Sequence, residues 1–249
     1  MKMPLFLWAA SLSLLLLLLL LVSVPARLLN YVVPVDQLMM SGLSGTIWDG
    51  HASAVRLRLP QGYWHLGSVS WSLEPFSLLL FAPRINVRSD WGNQIFSGDL
   101  LLRGKSDLEI YDFEGQMAAG VLRHFAPVAL DGLFKLQLSE LTLSNGLPAS
   151  AQGRLVWQDG AWQSPRGLVP LGSYALDLQQ LDGEPLRGEI VTLTGTLEAS
   201  GGLMLDDRRY SLNILMRSED ELEPQIQEML GLIATPEGEK YRISVDGNF

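Results

Sequence analysis

Apolar and polar residues alternate with a period of two along most of the chain after residue 40, and this pattern constrains the fold more than any other feature. Such a period buries one face of an extended strand and leaves the other in water. The clearest examples lie at 69–73, 134–138, 174–178, 210–214 and 241–245. Glycine, asparagine, aspartate and proline separate these segments, and strands do not alternate with helices, which favours antiparallel hairpins. We therefore predict a mainly β fold, an elongated antiparallel meander curled into a trough, with a two-sheet sandwich as the alternative.

The chain is 47% hydrophobic and 18% charged, and much of the apolar excess lies at the N-terminus. Twenty uncharged residues begin with Leu5 and end with Val24. As a helix they would span about 30 Å, the thickness of a hydrocarbon core. This predicts a transmembrane signal-anchor at 5–24, with a cytoplasmic tail at 1–4, a juxtamembrane connector at 25–40 and a periplasmic β-rich domain at 41–249.

A cleaved signal peptide is the competing interpretation of the same segment. Val24, Pro25 and Ala26 provide small residues where a cleavage site would lie. The apolar run is longer than the roughly 7–15 residues of a typical signal-peptide core, which favours an anchor that is retained. Single-pass attachment to the inner membrane, with the bulk of the chain in the periplasm, is the predicted location.

The chain beyond residue 27 is distinctly acidic. Leaving out 1–27 removes Lys2 and Arg27 and changes the formal net charge from -9 to -11. This charge argues against binding to nucleic acid and against tight docking on anionic lipid. The simplest interpretation is that this negative charge keeps the protein soluble. Selection of a positively charged partner is a less favoured interpretation.

One C-terminal helix is predicted at 219–233. Ser218 and Glu221 have the spacing of a capping box, and Pro236 would stop the helix. Its predicted apolar face consists of Ile226, Met229, Leu230 and Ile233. Because the polar side of this helix is acidic, we expect it to pack on the sheet rather than lie on a membrane surface.

The residues show no catalytic, metal-binding or cofactor-binding pattern. Cysteine is absent, which excludes thiolate metal sites and disulfides. The three histidines, His51, His65 and His124, are not at metal-ligand spacing. The charged segment 206–209, with the sequence Asp-Asp-Arg-Arg, is typical of a hairpin tip and not of a metal site. We therefore predict that the protein is not an enzyme and has no cofactor, and a periplasmic hydrolase is the least favoured function.

Tryptophan is the residue type most open to a binding role. Stacking on a sugar or a lipid-facing wall would use exposed indoles, whereas packing in the sheet would bury them. Trp48, Trp71 and Trp157 are in phase with apolar strand positions and are predicted to pack. Trp64 and Trp162 lie near turns and are predicted to be the more exposed.

The sequence contains an internal echo. In each half a tryptophan strand ends at an Asp-Gly turn, at Gly50 and at Gly160, and a Leu-Gly-Ser segment follows at 66–68 and at 171–173. Either a duplication, with halves at about 41–145 and 146–249, or chance similarity between glycine-rich strands explains it.

Several of these segments, in their order and spacing, resemble the type II secretion system protein N family. The similar stretches are 43–52, 66–67, 69–75, 171–174, 193–197, 201–202 and 237–243. The resemblance implies a single-pass inner-membrane protein that assists the export of folded proteins across the outer membrane. It brings no catalytic residues.

Two classes of function therefore stand. The first is a non-enzymatic accessory or assembly component of the type II secretion system. Its partners would be the periplasmic domains of other components, in the inner-membrane platform or the outer-membrane channel, met in part by strand addition. The alternative is a membrane-anchored β groove that binds or conducts lipid along its apolar strand faces.

Overall fold

A computed structural model of the chain describes residues 5–32, 38–59, 62–79, 81–104, 107–124, 129–181, 183–218, 222 and 224–248. Within these residues fourteen strands form one open antiparallel sheet. The strands are β1 (Leu38–Gly45), β2 (Asp49–Leu59), β3 (Gly62–Leu73), β4 (Arg84–Trp91), β5 (Gln94–Arg103), β6 (Asp107–Ala118), β7 (Leu130–Ser144), β8 (Leu147–Ser164), β9 (Gly167–Gln180), β10 (Leu186–Thr194), β11 (Leu197–Asp206), β12 (Arg209–Ser218), β13 (Thr235–Glu237) and β14 (Lys240–Asn248).

The strands follow one another across the sheet in chain order, except that β14 lies between β12 and β13. The predicted antiparallel meander is confirmed. The strands make one sheet, not the two that a sandwich requires. Short turns produce this order: Asn145 and Gly146 both have positive φ and join β7 to β8, the conformation that suits a two-residue hairpin.

Helices are few and short except at the N-terminus. They are α1 (Leu5–Val22), α2 (Leu29–Val32), α3 (Pro75–Leu79) and α4 (Pro224–Ile233), with 3₁₀ turns at Ala26–Leu28 and Ala119–His124. Over the part of the chain that is described, no helix combines the length and apolar character needed to cross a membrane. The predicted connector at 25–40 is partly regular, because it contains α2 and the first residues of β1.

The end of α1 is fastened to the turn between β1 and β2. The Trp48 indole donates a hydrogen bond to the Leu21 carbonyl at 2.9 Å, and the Ile47 amide donates to the Val24 carbonyl at 3.0 Å. Pro25 then forms an isolated antiparallel bridge with Thr46. These bonds fix where the apolar helix meets the sheet.

Helix α4 confirms the last ten residues of the predicted helix. It begins at Pro224, where a first-turn proline loses no helical hydrogen bond. The Ser218 cap is wrong, because Ser218 ends β12 and its hydroxyl donates to the Thr196 carbonyl at 3.2 Å. The partner of that cap, Glu221, lies outside the described residues. Ile233, predicted to be on the apolar face, is 56% exposed.

The Asp-Gly echo has different structures in the two halves. Asp49 and Gly50 begin β2, as a turn requires, whereas Asp159 and Gly160 lie inside β8. There Asp159 has positive φ, and the register to β9 shifts between Trp157 and Gly160, so a bulge replaces the predicted turn. The hairpin tip at 206–209 is confirmed, because β11 ends at Asp206 and β12 begins at Arg209. Duplication of the two halves stays a prediction.

Candidate functional site

One apolar row of residues crosses the sheet from β1 to β14. Residues paired across antiparallel strands point to the same face, so an unbroken chain of pairs defines a line of side chains on that face. The pairs here are consecutive through thirteen strands. Its members are Leu43, Ala52, Val69, Ser89, Phe96, Gly115, Leu136, Leu155, Leu176, Ile190, Gly201, Ile214 and Ile243. We call this set the apolar row.

The residues one position along each strand form an equally continuous polar row on the opposite face. The same pairings connect them strand by strand. They are Ser44, His51, Ser70, Arg88, Ser97, Glu114, Gln137, Arg154, Asp177, Glu189, Gly202, Asn213 and Ser244. Glycine is the sole non-polar residue type in this row. The two rows therefore differ in polarity on every strand they cross except β4, where Ser89 and Arg88 are both polar, and β11, where both residues are glycine.

The apolar face is broader than one row. Two positions further along the strands, a second apolar line crosses from β6 to β14. Its members are Phe113, Leu138, Gly153, Leu178, Gly188, Leu203, Leu212 and Val245. Neighbouring rows of this kind give a continuous hydrocarbon-like surface.

Much of this apolar face is incompletely covered. Leu155, Leu176, Ile190, Ile214 and Ile243 are all half-buried, although they lie in the middle of the strands. In a sandwich a second sheet would bury such residues. Here the described residues bury large side chains mainly in two clusters, one beside α4 and one beside Ala26.

Helix α4 builds the larger cluster and closes one side of the apolar face. Ile226, Met229 and Leu230 pack against Leu171 and Leu197. Leu230 is 0% and Leu197 1% exposed, the most deeply buried large side chains in the described structure. Because the helix is only ten residues long, it covers the strand ends of β8 to β14 and leaves the apolar row beside it open.

A cavity of about 200 Å³ lies between α4 and the apolar row. Its walls are almost entirely aliphatic and aromatic, and they include four members of the row. The lining residues are Leu155, Trp157, Leu171, Tyr174, Ala175, Leu176, Ile190, Leu197, Ala199, Ile214, Met216 and Met229. Met229 of α4 forms the roof, and an unbranched thioether side chain adapts readily to irregular neighbours.

The two polar side-chain groups in this lining already have hydrogen-bond partners within the protein. The Trp157 indole donates to the Asp131 carbonyl at 2.9 Å. The Tyr174 hydroxyl lies 2.8 Å from the Leu171 carbonyl and 2.9 Å from the Leu197 carbonyl. Burial raises the pKa of Tyr174 to about 12, so the phenol stays neutral and keeps its donor. The cavity wall formed by these described residues therefore has no unpaired polar side-chain group to offer a ligand, and its surface is hydrocarbon.

An aromatic ladder stiffens the same edge of the cavity. Phe134, Trp157 and Tyr174 are cross-strand neighbours on β7, β8 and β9, and their ring centroids are 5.9 and 5.8 Å apart. Such contacts add to the energy of burial and fix the rotamers. The cavity wall is thus preorganised.

At the other end of the sheet, the apolar row begins beside the end of α1. Ala26 is fully buried against Leu43, Ala52 and Val55. Two of these, Leu43 and Ala52, are the first members of the apolar row. The apolar face and the leucine-rich helix are therefore separated by only a few residues of backbone.

The polar row is held by exposed hydrogen bonds and ion pairs. Arg154 on β8 forms a two-pronged contact with Asp177 on β9, and the Arg154 Nη2 to Asp177 Oδ2 distance is 2.8 Å. This contact lowers the pKa of the Asp177 carboxyl. Because both side chains are largely exposed, we expect the pair to contribute little to stability.

The tryptophans follow the packing interpretation in part. Trp48, Trp71 and Trp157 are half-buried, as predicted. Trp64 and Trp162, predicted to be exposed, are also half-buried. Trp64 donates to Gln94 Oε1 at 2.9 Å and sits edge-on to Phe96, and Trp162 packs against the α4 cluster.

The most exposed tryptophan on the sheet is Trp91, which the sequence did not single out. It is 55% exposed and stacks on His65 at 5.9 Å between ring centroids. This contact gives the His65 ring an aromatic packing partner. Among the described residues, no group of three or more histidines and carboxylates is close enough to hold a metal ion.

Cross-strand register is the information that sequence reasoning lacked. Alternation shows which residues of one strand share a face, but it does not show which residue of the next strand lies opposite. Irregular pairings between Ala52 and Val55 and between Ser97 and Asp99 shift the register inside strands. These irregularities change which residues lie opposite each other further along the strands, and alternation within one strand does not reveal them.

Fold and site together define a class of protein: an open, one-layer antiparallel sheet with one apolar and one polar face, fastened to a preceding apolar helix. Residues 36–244 match the family model described as type II secretion system (T2SS), protein N. The chain belongs to this family, as the resemblance of its segments indicated.

Three relatives named type II secretion system protein N agree with this assignment. Those from Aeromonas hydrophila and Vibrio cholerae are each 25% identical to the chain, over 233 and 236 residues, and the alignments cover 88% of both chains in each case. The one from Klebsiella pneumoniae is 26% identical over 198 residues, covering 77% of this chain and 75% of the relative. No solved structure matches the chain.

Proposed function

We propose that the protein is a non-enzymatic accessory component of the type II secretion system, held at the inner membrane by its N-terminal segment, with its sheet in the periplasm. The observation that carries the proposal is the family match, which extends over residues 36–244 and so includes thirteen of the described strands entirely and the first part of β14. In this role the protein supports the export of folded proteins and acts by contact with other components.

The N-terminal helix supports the membrane attachment. Leu12, Leu15, Leu17 and Leu21 are between 47% and 69% exposed on α1, so apolar side chains face outward around the helix. Water is a poor environment for such a surface, and a bilayer would cover it. The bonds from Trp48 and Ile47 to the end of α1 would then hold the sheet close to the membrane.

The last strands offer a surface for partner proteins. β13 pairs with only three residues of β14, at Lys240, Tyr241 and Arg242. The rest of β14, from Ile243 to Asn248, borders β12 on one side, and its other side faces away from the described strands. An edge of this kind can take up an extended segment of another chain through backbone hydrogen bonds. We expect the periplasmic domains of other secretion components to bind here.

Deletion and complementation test the secretion role. Removing the gene should retain secreted proteins in the periplasm, and the full-length chain should restore their release into the medium. A photo-crosslinker at Ser244, on the free part of β14, should capture another secretion component, whereas one at Asn93, in the exposed turn between β4 and β5 on the far side of the sheet, should not. Normal secretion in the deletion strain together with no captured component would refute the proposal.

The attachment is tested separately. Full-length protein should sediment with membranes and resist alkaline carbonate extraction, and its mass on a denaturing gel should match the uncleaved 27.5 kDa chain. A shorter product released into the periplasm would show that the N-terminal segment acts as a cleaved signal peptide.

A further inference from the structure

We propose that the apolar face of the sheet binds the acyl chains of membrane phospholipid, which lie along the apolar row and enter the cavity under α4. This activity is additional to the secretion role and shares with it only the closeness of the sheet to the membrane. The argument rests on the chemistry of the face, its length and its starting point.

The chemistry of the face selects hydrocarbon. The cavity lining carries two polar side-chain groups, on Trp157 and Tyr174, and both already bond to backbone carbonyls. A bound peptide would bring amide and carbonyl groups that this wall cannot pair, and a sugar would bring hydroxyls, each at a cost in desolvation. An acyl chain brings neither, and it gains from leaving water.

The length of the face suits chains of this kind. Twelve strand-to-strand steps at about 4.8 Å make the apolar row about 58 Å long. One phospholipid leaflet contributes about half of a hydrocarbon core of roughly 30 Å, so an extended acyl chain covers only part of the row. The row therefore has room for more than one chain along its length.

The starting point of the row argues for lipid from the bilayer. The row begins at Leu43 and Ala52, which pack on Ala26, four residues after the end of α1. The row therefore begins close to the outward-facing leucines of α1. Its first two members are enclosed, at 8% and 0% exposure, so an acyl chain from the bilayer would meet the row from Val69 onward.

The incomplete cover over the row is consistent with an exchangeable occupant. Leu155, Leu176 and Ile190 are half-buried beside the cavity, while Leu230 and Leu197 next to them are completely enclosed. Side chains that serve only to fill the core would be expected to be as fully enclosed as Leu230 and Leu197. A bound acyl chain would complete their burial.

Photo-crosslinking in native membranes tests the proposal on the full-length chain. A benzophenone amino acid is placed at Leu176 or Leu155 in the apolar row and, as a matched control, at Asp177, one residue along β9 in the polar row. After irradiation the protein is purified under denaturing conditions, so detergent cannot replace bound lipid, and its mass is measured. We expect a phospholipid adduct about tenfold more abundant at the two apolar positions, which corresponds to 1.4 kcal/mol of preference.

A second test changes the apolar face while the probe stays in place. With the benzophenone at Leu155, Ile190→Glu should lower the adduct yield about tenfold, because a carboxylate beside hydrocarbon is strongly disfavoured. Glu189→Gln, on the polar face of the same strand, should leave the yield unchanged. Protein abundance, measured in the same samples, shows that both variants accumulate.

Three results would overturn the proposal. They are no lipid adduct in the apolar row, equal adducts on both faces, and a protein adduct of defined mass at Leu155 and Leu176, which would identify a partner chain as the cover. Secretion is measured separately, in the strain that lacks only this gene. A lipid adduct in the apolar row together with normal secretion in that strain and no captured component at Ser244 would leave this inference standing and remove the proposed function. Impaired secretion together with no lipid adduct would remove this inference and leave the proposed function standing.

Discussion

The two faces of the sheet use the same strands and the same backbone hydrogen bonds, yet they meet their surroundings in different ways. On the polar face Arg154 and Asp177 bond to each other in solvent. One residue away, Leu155 and Leu176 lie on an apolar surface that is only half-covered. The polar side chains find partners in water or in each other, whereas the apolar side chains are only partly shielded from water within the described structure. The difference shows that a one-layer sheet satisfies its polar face by itself but does not bury its apolar face.

A second contrast lies within the apolar face. Where α4 covers it, Leu197 and Leu230 are fully enclosed, and a few residues away Ile190 and Ile214 are half-buried. Stability should therefore be concentrated at the covered end, and binding capacity in the open middle. The variants below separate these two contributions, beginning with the largest expected effect.

Removing the side chain under α4 should have the largest effect. We expect Leu230→Ala to lower the free energy of unfolding by about 2–5 kcal/mol, because it loses buried methyl groups and leaves a cavity. Leu232→Ala is the matched control on the same helix. Since Leu232 is 79% exposed, its loss should change stability by less than about 0.5 kcal/mol. Urea unfolding followed by tryptophan fluorescence measures both, and equal effects would show that α4 is not docked on the sheet.

Polar substitution in the open middle should cost less. We expect Ile190→Asn to destabilise the protein by about 1–2 kcal/mol, because a half-buried aliphatic contact is lost and an amide is placed on an apolar surface. Glu189→Gln, its exposed neighbour on the polar face, should be nearly neutral. The same unfolding assay compares the two. A neutral Ile190→Asn variant would contradict the distinction between the faces.

The smallest expected effect concerns the phenol at the edge of the cavity. Tyr174→Phe should cost about 0.5–1.5 kcal/mol at pH 7, the usual contribution of one hydrogen bond. Burial raises the Tyr174 pKa from 10.0 to about 12, so the folded state binds this proton more tightly than the unfolded state. Its contribution is therefore complete below pH 10 and is lost as the pH rises towards 12.

The difference in stability between wild type and Tyr174→Phe should accordingly shrink above pH 10. Thermal unfolding of both proteins at pH 8, 10 and 11 checks this, and the remaining tyrosines cancel because both chains contain them. A difference that stays constant over this range would mean that the Tyr174 hydroxyl is not buried against the Leu171 and Leu197 carbonyls.

Local patterns anticipated much of this fold. The alternation at 174–178 and 241–245 correctly indicated strands, and the apolar segment from Leu5 begins a helix as expected. The failures lie where local and tertiary requirements compete. Ser218 has the sequence of a helix cap, but pairing with Leu197 on β11 keeps it in a strand. Asp159-Gly160 has the sequence of a turn, but the long β7–β8 and β8–β9 pairings carry the strand through it as a bulge.

By itself, the sequence determined that alternating segments form strands with one apolar and one polar face, because side chains alternate with a period of two in any extended chain. It also determined the N-terminal apolar helix and the absence of thiol chemistry. Only the tertiary structure decided that the strands stay in one open sheet, that their apolar positions align into a single row, and that α4 covers one end of the apolar face. Register depends on turns and bulges across many strands, and the gain from burying an apolar face depends on what lies over it.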